Sequence, residues 1–173
     1  MKKITKNLFL LAFFGISLFA SSEKVDFSIS EKYQDLSSEI FKNISSHHYT
    51  REIDKESFND LYIDALLEEL DGNKNLFLSY EIKSFKRKSS NYKKNRENFD
   101  INLAYEILNT YFNRVIEISE YQIKLAKKDS FDLSIDEGID IFYDDNEYAS
   151  TMLELKDRWR KTTKNDFIVS VLA

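Results

Sequence analysis

The chain has no cysteine and no proline, and only three glycines and two histidines in 173 residues. Without cysteine there is no disulfide, no thiol nucleophile and no cysteine-ligated zinc site. His47 and His48 are adjacent, so the H-E-x-x-H helix of zinc peptidases cannot be formed. Gly15, Gly72 and Gly138 lie too far apart for a dinucleotide-binding G-x-G-x-x-G or a Walker A loop. At ordinary usage a chain of this length carries about eight or nine prolines. Having none, with so little glycine, argues against a turn-rich sandwich or barrel and for helices. A hydrophobic content of 42% with 14% aromatics is too high for a disordered chain.

The N-terminus reads as an export signal. Lys2, Lys3 and Lys6 form a basic start, residues 8–20 are apolar, and Ala20 and Ser22 place small side chains at the two positions that define a cut before Glu23. The apolar run covers about 20 Å as a helix, short of the ~30 Å hydrocarbon core of a bilayer. Cleavage is therefore expected, which makes the protein an exported one; a retained segment would instead anchor it to the membrane. With no cysteine after the run, lipid attachment there is excluded. Removing 22 residues that contain three lysines and no acid takes the net charge from −5 to −8. An acidic exported domain is a poor partner for nucleic acid or anionic lipid.

Residues 23–173 read as one all-α domain of about five helices. Tyr33, Leu36, Ile40 and Ile44 mark the apolar face of the first helix, which ends near the histidine pair. Asp54 can cap a second, with a stripe of Phe58, Leu61, Tyr62, Ala65, Leu66 and Leu70, stopped at Gly72. Ser79 caps a third that carries Ile82 and Phe85, and residues 89–98 are expected to fray into a loop. Asp100 caps the longest pattern, Ala104, Ile107, Leu108, Tyr111, Val115, Ile118 and Leu125. The last helix begins near Ser150 and presents Met152, Leu155, Trp159, Phe167 and Val171. Between the last two lies a solvated acidic loop, residues 129–147, with eight acids, no base and apolar anchors.

Candidate chemistry is sparse. Neighbouring residues on a helix point about 100° apart, so His47 and His48 cannot share one metal. An EF-hand register beginning at Asp132 supplies Ser134 and Asp136, but places Glu137 where glycine is required and Tyr143 where a bidentate glutamate is required. No serine stands in a G-x-S-x-G elbow. The basic run Lys83, Lys86, Arg87, Lys88, Lys93, Lys94 and Arg96 is a solvated face or a contact patch for an acidic partner. No catalytic, cofactor-binding or metal-binding residue is assigned.

A longer pattern runs through the chain. It comprises His48-Tyr49, Ser57, Asp64, Leu67, Leu70-Asp71, Lys74, Phe77-Leu78 and Phe85, then Tyr111, Phe112 and Arg114 on the long helix, then Trp159-Arg160-Lys161 and Lys164-Asn165-Asp166. In order and spacing it resembles the N-terminal helical domain of the tail-specific, or carboxy-terminal processing, serine proteases of Gram-negative bacteria. Leu76 stands where that family usually has an aromatic. Tyr80-Glu81 replaces a typical Ser-Asp, with Glu81 keeping a negative charge near the helix start. The resemblance implies a module that precedes a PDZ domain and a Ser-Lys protease domain, both absent from these 173 residues. It implies no catalytic residue here, a role in C-terminal processing of periplasmic proteins, and as partners the PDZ/protease portion or a periplasmic adaptor. The other expectation is a stand-alone periplasmic helical interaction protein that acts on a protease or on the cell envelope.

Overall fold

The computed structural model describes residues 24–47, 55–93, 101–127, 131–139 and 147–172. The signal segment and the caps at Asp54 and Asp100 lie outside the described residues. Five α-helices account for most of the rest: α1 (Glu31–His47), α2 (Lys55–Asp71), α3 (Ser79–Lys93), α4 (Ile101–Lys127) and α5 (Met152–Leu172). Among the described residues there is no strand, only an isolated parallel bridge between Leu78 and Ala149.

The long helix α4 is the axis. Helix α2 packs on α3, both touch α4, and α5 lies along α4. Two apolar clusters result. The first joins Ile63 and Leu67 of α2, Phe77 of the following turn, Ile82 and Phe85 of α3, and Leu103 and Ile107 of α4. The second joins Leu78, Ala149, Leu155 and Trp159, with Ile118 and Tyr121 of α4 packed on them. The turn after α2 therefore sends Phe77 into one cluster and Leu78 into the other. Burying such side chains stabilises by about 1.5–3 kcal/mol each relative to exposure.

Several sequence expectations shift. On α2 the buried line is Ile63 and Leu67, flanked by Tyr62, Leu66 and Leu70, whereas Leu61 and Ala65 are exposed. That helix is apolar on most sides between residues 61 and 67, so its period alone did not fix its rotation. The segment 89–93 continues α3 instead of fraying, because Ser89 is buried and its hydroxyl donates to Asp60 at 2.7 Å. On α1 only one edge of the apolar band packs, through Ser37 and Phe41. Tyr33, Leu36, Ile40 and Ile44 remain exposed. At the end of α5, Phe167 and Val171 are exposed as well. Phe167 meets Phe131 with ring centroids 5.6 Å apart.

The helix ends follow side-chain chemistry. Helix α3 is capped from Leu78, not Ser79: the Glu81 carboxylate accepts the Leu78 N–H at 2.7 Å, half of a capping box. On α5, Thr151 Oγ1 accepts the Glu154 N–H while Glu154 accepts the Ser150 N–H. After α2 the left-handed residue is Lys74 (φ 54°), not Gly72. What Gly72 supplies is room, since a Cβ there would sit 3.0 Å from the Glu68 carbonyl oxygen.

Candidate functional site

The turn between α2 and α3 concentrates the polar organisation of the molecule. Asp71, the last residue of α2, is buried, and its carboxylate accepts the N–H groups of Asn75 (2.7 Å), Leu76 (2.9 Å) and Phe77 (2.8 Å). These amides have no helical partner, so the side chain satisfies donors that burial would leave open. Burial pushes the Asp71 pKa up, against the pull of the three N–H donors and of nearby Arg158. Burial also pushes the neighbouring Tyr148 hydroxyl up to about 12, helped by the carboxylates of Asp71, Glu68 and Asp64. From α5, the Trp159 indole N–H donates to the Asn75 carbonyl at 2.7 Å. Arg158 donates to the carbonyls of Lys74 (3.3 Å) and Glu147 (2.8 Å).

A second polar pair lies where α3 meets α4. Arg114 is buried and donates to Glu81 at 2.6 Å, with Glu117 3.4 Å away on its own helix. Glu117 in turn holds Lys156 of α5 at 3.0 Å. Glu81 thus closes the N-terminus of α3 and binds it to α4 at once.

The acidic segment is fastened rather than free. Glu137 accepts Arg160 through both oxygens and Lys164 at 2.7 Å, and Lys164 also donates to the Ile135 carbonyl at 3.0 Å. The two cations hold the Glu137 carboxyl down at about 2. Residues 132–136 and 138 are exposed, as expected of a solvated acidic loop, but the hold on α5 comes from Glu137, whereas Leu133 and Ile135 are exposed and do not anchor it. The available signal was the i, i+4 spacing of Arg160 and Lys164, which gives one acceptor two donors from one helix face. Lys164 is only 5% exposed, with its ammonium bonded to the Glu137 carboxylate and the Ile135 carbonyl. In the EF-hand register, Asp132 accepts the N–H and hydroxyl of Ser134, forming a local turn. Among the described residues no three His, Cys, Asp or Glu side chains gather to hold a metal.

Four of the seven residues of the expected basic patch have described side chains, and two of these four are paired with acids. Lys83, Lys86, Arg87 and Lys88 are exposed on α3. Lys86 pairs with Asp64 at 3.0 Å and Lys88 with Glu106, so acids from α2 and α4 answer two of these four cations. Lys93 ends α3 with no described side chain; Lys94 and Arg96 lie outside the described residues, as does His48. His47 ends α1, again without a described side chain. The remaining surface candidates are apolar: the band on α1, and Val169, Val171 and Leu172 at the end of α5, where Leu172 is 81% exposed.

The sequence model of the family described as "Tail specific protease N-terminal domain" matches residues 40–173. The match begins within α1 and takes in all of α2 to α5. Among curated proteins, none matches the chain.

Proposed function

The chain belongs to the tail-specific protease N-terminal domain family, and from that premise we propose that it is a non-catalytic helical module of a tail-specific serine endopeptidase. It acts in the periplasm, after export on its N-terminal signal, through contact with a PDZ-plus-protease portion or an adaptor. The observation that carries this reading is the use made of the pattern residues. Phe77, Leu78 and Trp159 are buried in the two clusters. Asp71, Arg114 and Lys164 are buried and bonded to the turn, to Glu81 and to Glu137 respectively. Residues engaged in this way maintain a scaffold and leave the outer surfaces for recognition. The basic face from Lys83 to Arg96 and the apolar end of α5 are the surfaces offered to the peptidase portion.

The second reading, a stand-alone interaction protein, is favoured by the exposed band on α1, of which Tyr33 and Leu36 precede the matched residues. One mixing experiment separates the two. The full chain is combined with the PDZ-plus-protease portion of a tail-specific protease and passed over a sizing column. Co-elution and altered cleavage of a C-terminal-tail reporter are expected, with no cleavage by the chain alone. Separate elution favours the stand-alone reading. Cleavage by the chain alone overturns both.

A further inference from the structure

The segment that precedes α1 has no regular secondary structure, yet it is held in register on α4. Asn113 accepts the Val25 N–H at 2.9 Å through Oδ1 and donates to the Val25 carbonyl at 2.7 Å through Nδ2. Asn109 does the same for Phe27, at 2.7 Å and 3.1 Å. It also lies 3.4 Å from an Asp26 carboxylate oxygen. One residue offers its N–H and C=O to one partner in this way when its backbone is extended, as in the hydrogen-bonded pairs of an antiparallel sheet. The two asparagine amides therefore act as two rungs of a strand edge, displayed on a helix.

The spacing explains why this works. Four helical residues rise about 6 Å and two extended residues advance about 6.6–6.8 Å. Asparagines at i and i+4 thus meet alternate residues of an extended chain running antiparallel to the helix. All four rung bonds go to backbone atoms, so the rungs do not choose among side chains. Selectivity comes from the flanks. Phe27 lies edge-on to Phe112 of α4, with centroids 5.2 Å apart, and is still 45% exposed. At the other end a cavity of about 330 Å³ is lined by Lys24 together with Asn113, Glu117 and Glu120.

We infer that the Asn109–Asn113 face of α4 is a binding site for extended polypeptide, occupied in this chain by its own residues 24–27, and that a segment from another chain can take their place. The ligand is an unfolded stretch with a cation just before the first rung, to face Glu117 and Glu120, and an aromatic at the second rung, to meet Phe112. The bonds to Phe27 lie at the exposed surface, where exchange with water or a competing backbone costs little net free energy. This inference does not depend on the peptidase reading above.

The test uses a fluorescent peptide with the sequence of residues 24–29, titrated into the full chain. In the unaltered chain the tethered segment competes at an effective concentration of order millimolar, so binding is weak. Val25→Pro with Phe27→Pro removes both rung donors from the tethered copy. Binding of the peptide then tightens at least about ten-fold. Adding Asn109→Ala and Asn113→Ala abolishes it, and alanine favours the helix there, so α4 is retained. A peptide methylated on the Val and Phe backbone nitrogens does not bind any of these chains, a control that alters nothing in the protein. The inference is overturned if the proline pair leaves affinity unchanged, if binding survives loss of both asparagines, or if the methylated peptide binds equally well.

Discussion

Two stretches of non-helical backbone are held by side chains in this molecule, and they are held differently. Residues 75–77 are bound by a buried carboxylate and a buried indole, Asp71 and Trp159, at the meeting point of both apolar clusters. Residues 25–27 are bound by two side-chain amides of α4, with the bonds to Phe27 exposed and those to Val25 half-buried. The bond lengths are alike, but the surroundings are not. Where water is excluded, an abandoned N–H costs its full desolvation penalty, about 1–3 kcal/mol. Where water is at hand, it takes over the lost bond. The first arrangement belongs to the cooperative core; the second can open alone.

The contrast can be attacked at its strong end first. Trp159→Ala should destabilise by about 3–5 kcal/mol, since it removes a large buried side chain and the indole bond to Asn75. Urea unfolding would measure it, and a loss under about 1 kcal/mol would remove the turn from the core. Glu81→Ala leaves buried Arg114 with only the more distant Glu117, 3.4 Å away, and uncaps α3. The expected cost, about 3–5 kcal/mol, follows from breaking a buried pair. Asp71→Ala opens three N–H groups at once and should cost about 3 kcal/mol.

The pH response sharpens the comparison further. Glu137 has a folded pKa of about 2 against an ordinary value of 4.5. Its contribution is therefore fully present above 4.5 and lost as pH falls toward 2. Asp71 runs the opposite way. Its folded pKa is raised above 3.8, so its titration favours the folded state below 3.8, and that contribution is lost as pH climbs through the folded value. Glu137→Gln should flatten the acid-side decline in the urea midpoint between pH 4.5 and 2, while Asp71→Asn should leave that decline in place. The smallest effect belongs to Asn109→Ala with Asn113→Ala. The loss is capped by the free energy at which the N-terminal segment already opens on its own, and better helix propensity offsets part of it. Global stability should change by less than about 1 kcal/mol, although the Val25 and Phe27 amides lose their protection.

What the sequence made legible follows the same division. The number and order of the helices, and the places of Trp159, Ile82 and Phe85 in the core, follow from apolar spacing, because burial on a helix repeats every three or four residues, whereas Phe77 lies in a turn that no such period reaches. Phe112 is exposed and meets Phe27 edge-on, while Tyr62 and Tyr111 flank the first cluster. The rotation of α2 escaped because isoleucines and leucines surround it. The exposure of Tyr33, Leu36, Ile40 and Ile44 escaped because periodicity marks an apolar band but not whether anything covers it. Long-range polar bonds left the faintest trace. Ser89 with Asp60, Glu137 with Arg160, and Asn113 with Val25 each join residues more than twenty positions apart; i, i+4 pairs such as Arg160 and Lys164 show that donors share a face but do not name the partner.

Native-state hydrogen exchange on the full chain tests the account most directly, by comparing the amides of residues 75–77 with those of Val25 and Phe27. The account predicts that the turn amides exchange only when the whole domain unfolds, with the same free energy as the urea transition. The Val25 and Phe27 amides should exchange by local opening, at lower free energy and without dependence on urea at low concentration. Equal protection at the two places, both at the global value, would contradict it and make the N-terminal segment a fixed part of the core.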